Sequence, residues 1–112
     1  VYGPESRDNM MYGMLKEGTA PYVTNHRRDW IHVKDVCRAI RYLAAKTEIN
    51  GPVPVGYGSS IPVKRLADAF GQPNLPLKTD TPGEAEDNVA DISIMLSTGW
   101  SPRINILDTV ND

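Results

Sequence analysis

The densest polar stretch of the chain is His26-Arg27-Arg28-Asp29-Trp30-Ile31-His32. Two guanidinium groups on an extended segment suit the two-pronged capture of a phosphate or carboxylate. The same residues also fit a solvated basic face or an internal Arg–Asp pair, and composition does not choose among the three. His26 and His32 have no acidic or cysteine partner at metal-ligand spacing, so no metal site is expected. Gly56-Tyr57-Gly58 invites a dinucleotide-loop reading, but the third glycine of that pattern would fall at Ile61, where a side chain obstructs the close helix–strand packing the pattern requires. A tight turn is expected instead, with backbone N–H groups at a helix start still open to weak anion contact. Tyr42 and Lys46 have the spacing of a proton-exchanging Tyr-x-x-x-Lys pair. Tyr42 lies off the apolar stripe of its helix and nothing upstream could hold a nicotinamide beside it, so the pair is read as structural or solvated. No catalytic residue and no cofactor-binding residue is assigned.

These residues need elements to hold them. A helix is expected over residues 9–17, capped by Asp8, with Met10, Met11, Met14 and Leu15 on one side and Gly18 as its stop. Residues 21–32 read as extended. The clearest periodicity follows: Val33, Val36, Cys37, Ile40, Leu43 and Ala44 form one helical stripe, predicted to be buried, with Asp35 complementing the dipole in the first turn. A short strand is expected over residues 52–55. A helix then opens at Ser59 or Ser60, with Pro62 in its first turn and Val63, Leu66, Ala67 and Phe70 on its apolar face. Residues 71–86 read mostly as loop with a strand at 75–78, and Asp91 caps a short helix bearing Ile92, Met95 and Leu96, stopped by Gly99. Helices alternating with short strands give an α/β or α+β class.

The totals bound the function. The chain's 112 residues suffice for one domain, and 40% hydrophobic with 23% charged residues is globular composition. A net charge of −2 argues against a general nucleic-acid binder. No apolar run approaches the roughly 20 residues of a membrane span. The lone Cys37 forms no internal disulfide and is expected to be a small buried residue, in a reducing, cytoplasmic setting. Val1-Tyr2-Gly3-Pro4 reads as the end of a strand entering a turn, and residues 104–112 start an apolar-spaced segment with no cap, so both ends predict a piece of something larger.

Several segments together resemble the extended short-chain dehydrogenase/reductase family, the NAD-dependent nucleotide-sugar epimerases and dehydratases. Val1-Tyr2-Gly3-Pro4 is similar to its Tyr-Gly-Pro turn. Arg28-Asp29-Trp30-Ile31-His32-Val33-Lys34-Asp35-Val36 resembles its Arg-Asp-aromatic-aliphatic-x-Val-x-Asp-Val stretch. Residues 53–58 resemble its Asn-Val-Gly-x-Gly turn, with Pro54 in the Asn place, and Ala90-Asp91-Ile92-Ser93 and Gly99-Trp100-Ser101-Pro102 resemble its closing motifs. The match runs in order over essentially all of residues 1–112. It implies an α/β, small mixed helix and short-strand substrate-binding domain: an incomplete, C-terminal piece of a Rossmann-type enzyme whose glycine loop and catalytic Tyr-x-x-x-Lys precede the Tyr-Gly-Pro turn. It implies Arg28 as a ligand for the diphosphate of a nucleotide-sugar, and Tyr22, Val23 and Asn25 as candidates for the nucleotide pocket. NAD or NADP would belong to the parent enzyme and not to this chain. Two departures stand out: the segment from Pro21 to Arg28 is short for the family, and Thr81 stands where a second diphosphate Arg often precedes the Pro-Gly step. The implied partners are a nucleotide-diphosphate sugar, the Rossmann portion of the parent, and a second copy covering exposed apolar surface. The other reading is a stand-alone binding or assembly module without enzyme activity.

Overall fold

The computed structural model describes residues 1–6, 10–24, 26–46, 48–78 and 89–110. Helix α1 (Met11–Glu17) is followed by strands β1 (Val23–Thr24) and β2 (Arg27–Arg28), helix α2 (Val33–Ala44), strand β3 (Ile61–Pro62), helix α3 (Val63–Ala69), strand β4 (Leu77–Lys78), helix α4 (Ser93–Ser97) and a 3-10 turn over Ile106–Asp108. Strands β1 and β4 pair in parallel, and β2 pairs with β3 antiparallel, Arg28 opposite Ile61. Tyr2 and His32 form a further parallel bridge. The class is mixed α/β with short strands, as the alternating pattern implied.

Local sequence explains most of the helix ends. Gly18 adopts the left-handed conformation at the end of α1, with its N–H directed to the Leu15 carbonyl and that of Thr19 to Met14. The expected cap, Asp8, lies outside the described residues, and the first helical residue is Met11. Pro62 is the N-cap of α3 rather than a first-turn residue, because residues 61–62 are drawn into the β2 pairing. Val63, Leu66 and Ala67 are buried and Phe70 packs beside them, as the spacing predicted. Residues 52–55 form no strand: Pro52 and Pro54 lack the N–H donors a ladder needs. Asp91 accepts the Ser93 N–H at the start of α4, which holds its carboxyl below the usual range.

Among the described residues, two clusters make the core. Tyr2, Tyr12, Leu15, Val23, Trp30, Leu66 and Ile106 pack in one, with Tyr2 against Tyr12 at 4.9 Å between ring centres. Ile31, Ala39, Met95 and Trp100 form the other, joined by Val36, Tyr42 and Leu43 from α2.

The stripe on α2 departs from expectation. Its inner side is Asp35, Ala39 and Tyr42, flanked by Val36 and Leu43, while Val33, Cys37, Ile40 and Ala44 face outward. Cys37 is thus exposed rather than buried. Asp35, a first-turn residue, is only 1% exposed. Its carboxylate accepts N–H bonds from Arg103 and Ile104, both at 3.0 Å, and pairs with Arg38 at 2.7 Å. Its carbonyl accepts the Trp100 indole N–H at 3.1 Å. A side chain read as a dipole partner therefore also clasps the C-terminal segment, which forces the polar side of α2 inward and part of the apolar stripe outward.

Candidate functional site

The polar stretch is built around Asp29. Its carboxylate accepts the backbone N–H groups of Tyr57 at 2.6 Å, Gly58 at 2.9 Å and Ala90 at 3.2 Å. Beyond the tight turn expected, residues 56–58 cradle an anion, and that anion is the chain's own Asp29 carboxylate. Gly58 sits at φ +88°, and a Cβ on Gly56 would meet both Asp29 carboxylate oxygens at 3.0 Å. The donors a dinucleotide phosphate would need at this turn are directed to Asp29, and Ile61 occupies β3. These residues do not fit a nicotinamide cofactor.

Arg27 and Arg28 divide their roles. Arg27 donates through Nε to Ser60 Oγ at 3.0 Å and through Nη2 to the Ser60 carbonyl at 3.1 Å, tying β2 to the start of β3. Arg28 is half-buried on the next position of the strand. His32 caps α2, its Nδ1 accepting the Lys34 N–H at 3.0 Å, and stacks edge-on against Tyr2. His26 is buried, and its carbonyl receives the Val63 N–H. Among the described residues no group of three or more His, Cys, Asp or Glu could hold a metal ion.

The other candidates for a nucleotide pocket lie on and beside β1. Tyr22 is half-buried, and the Lys78 ammonium sits 4.9 Å above its ring. Val23 buries its side chain in the core, so a ligand there would meet its backbone. Thr24 buries its hydroxyl without a hydrogen-bond partner among the described residues. Asn25 lies outside the described residues, as do Thr81 to Glu84. Sequence reasoning did not single out Lys78. It reaches Tyr22 only because β4 pairs with β1 more than fifty residues away, and local spacing carries no trace of that pairing.

Tyr42 is packed with Ile31, Met95 and Trp100, and Lys46 lies beyond the end of α2, so the two do not sit on one continuous helical face. No described helix is long and apolar enough to cross a membrane.

No protein-family model matches the chain, and no curated protein matches its sequence. Solved structures do match its fold. A dTDP-glucose 4,6-dehydratase from Bacillus anthracis, in complex with NAD, superposes with a TM-score of 0.78 at 19% identity, covering 98% of this chain and 40% of that one. The RMD protein of Pseudomonas aeruginosa, complexed with NADPH, gives 0.76 at 22% identity over 96% of this chain and 42% of its own. A UDP-N-acetylglucosamine 4-epimerase from Methanobrevibacter ruminantium, in complex with UDP-N-acetylmuramic acid, gives 0.76 at 21% identity, covering 98% and 42%. The chain spans about two fifths of the length of these structures, and what it shares with them is the fold of that part.

Proposed function

We propose that this chain is the nucleotide-sugar-binding, C-terminal portion of an NAD-dependent epimerase or dehydratase of the extended short-chain dehydrogenase/reductase type. The observation that carries the reading is the fold: nearly the whole chain superposes on part of enzymes whose names specify nucleotide-sugar substrates. The ordered sequence motifs support it independently. Arg28 is the diphosphate ligand. Tyr22, Asn25 and the backbone of Val23 contribute to the nucleotide pocket, and Lys78 adds positive charge beside Tyr22. NAD or NADP supplies transient oxidation of a sugar carbon when bound to the further portion of such an enzyme. The residues of this chain bind and orient the substrate and perform no bond-making step.

Calorimetric titration with UDP, dTDP and NAD tests the reading. Binding of a nucleoside diphosphate without binding of NAD is the expected result, with loss of that binding in Arg28→Ala. Failure of both nucleoside diphosphates to bind defeats the assignment of the site. NAD binding with Arg28 indifferent defeats the division of labour between the two portions.

A further inference from the structure

Strand β1 has two unlike faces. Val23 buries its side chain in the core cluster that also holds Val63 and Leu66 of α3. Successive side chains of an extended segment alternate, so Tyr22 and Thr24 stand on the face opposite Val23. The pairing with β4 agrees. Thr24 is the register partner of Lys78, and the Lys78 ammonium lies 4.9 Å above the Tyr22 ring. Tyr22, Thr24 and Lys78 therefore gather on one face. Thr24 is the anomaly there. It is 3% exposed, and its hydroxyl meets no hydrogen-bond partner among the described residues. A buried hydroxyl left unpaired destabilises a fold, and valine would fill the same outline without it. A polar group kept against stability in this way is expected where a ligand supplies the partner.

We propose that the Thr24 hydroxyl, together with the Lys78 ammonium, selects the base of the bound nucleotide by hydrogen-bonding its carbonyl oxygen. The Tyr22 ring beside them offers a flat apolar surface to that base. The proposal rests on the nucleotide-sugar reading above and adds to it the class of base. An ammonium carries donors only, and the neighbouring hydroxyl can donate as well. Two donors on one face match a base that presents carbonyl oxygens, as uracil and thymine do. They oppose adenine, which presents an amino group instead. Arg28, four positions further along the chain, takes the diphosphate, so the two contacts are separable by ligand chemistry.

The test is calorimetric titration of the chain with UDP and with ADP, alongside urea denaturation. The wild type should bind UDP more tightly than ADP. Thr24→Val should weaken UDP binding by about tenfold, the loss of one hydrogen bond, and leave ADP binding little changed. Thr24→Ser keeps the hydroxyl and should keep the preference. Because valine removes a buried group with no internal partner, the Thr24→Val unfolding midpoint should stay at or above that of the wild type. A lower midpoint would show that the hydroxyl serves the fold, and overturns the proposal. Unchanged UDP affinity in Thr24→Val, or an equal loss for both nucleotides, overturns it too. If Arg28→Ala still loses UDP in that case, the nucleotide-sugar reading stands without the base selection. A wild-type chain that binds neither nucleotide defeats that reading, and the base selection falls with it.

Discussion

Gly56 and Ala90 approach so closely that a Cβ at residue 56 would lie 2.6 Å from the Ala90 Cβ. That contact exists because Asp29 draws both segments onto one carboxylate. Adding a methyl group at residue 56 must move the 89–90 segment or the carboxylate. Gly56→Ala should therefore destabilise the fold, and Ala90→Gly in the same chain should restore part of the loss. A double-mutant cycle by urea denaturation measures this coupling, and additive losses would show that the two positions do not compete for space.

Asp29→Ala leaves three backbone donors without their acceptor, two of them partly buried. The expected cost is about 2–4 kcal/mol. Asp29→Asn keeps the shape but offers one acceptor oxygen where the carboxylate offers two, and should lie between the wild type and the alanine variant. Chemical denaturation of the three proteins checks the order.

Asp35→Ala removes the partner of Arg38 and of the Arg103 and Ile104 amides at a position with almost no solvent access. Breaking a buried charge pair on one side costs about 3–5 kcal/mol, against a total of about 5–15 kcal/mol for an ordinary domain. The variant should lose most of its cooperative thermal transition. A midpoint within a few degrees of wild type would show that the clasp contributes little.

Tyr2 sets an alkaline limit. Burial, helped by Tyr12 and by the negative charge of Asp35, pushes its hydroxyl well above the ordinary tyrosine range, with Thr109 opposing. The unfolded chain would ionise this group near about 10, while the folded chain holds its proton. Stability from this group is therefore complete below that pH and falls as pH rises above it, by at most one proton, about 1.4 kcal/mol per pH unit. Thr109 Oγ1 lies close but is engaged with Tyr12 and the Ile106 carbonyl, so by distance and angle the Tyr2 hydroxyl makes no hydrogen bond among the described residues. Tyr2→Phe should consequently be as stable as wild type at neutral pH and less sensitive above pH 10, read from denaturation midpoints across the alkaline range.

At the proposed pocket, Arg28→Ala should weaken nucleoside diphosphate binding by roughly ten- to a hundredfold, the loss of one charge-assisted contact. Arg28→Lys should recover only part of it, since an ammonium lacks the planar fork. Lys78→Ala should act more weakly. Calorimetry with UDP separates the three.

The helices and the mixed class were legible because their signals are local: Gly18 at a helix end, and Val63, Leu66 and Ala67 at helical spacing. The division of the α2 stripe was not. Val36 and Cys37 are equally apolar in sequence, and which of them faces the core is decided by Asp35 reaching a segment nearly seventy residues away. Asp29 was hidden for the same reason. Its partners lie 28 to 61 residues further on, and an aspartate in an extended segment gives no local sign of what it will accept. The proposed pocket rests on motif order, which points to Arg28 and Tyr22; Lys78 beside Tyr22 comes only from the pairing of β4 with β1.

The clasp at Asp35 also orders events during synthesis. Helix α2 closes at Ala44, yet the amides that meet its inward carboxylate belong to residues 103 and 104. During synthesis that carboxylate has Arg38 beside it, but it waits for the Arg103 and Ile104 amides, which follow the end of α2 by nearly sixty residues. The helix can form early, but its full seating waits for that distant segment, and a chain interrupted before Arg103 leaves the inward carboxylate without its two amide donors.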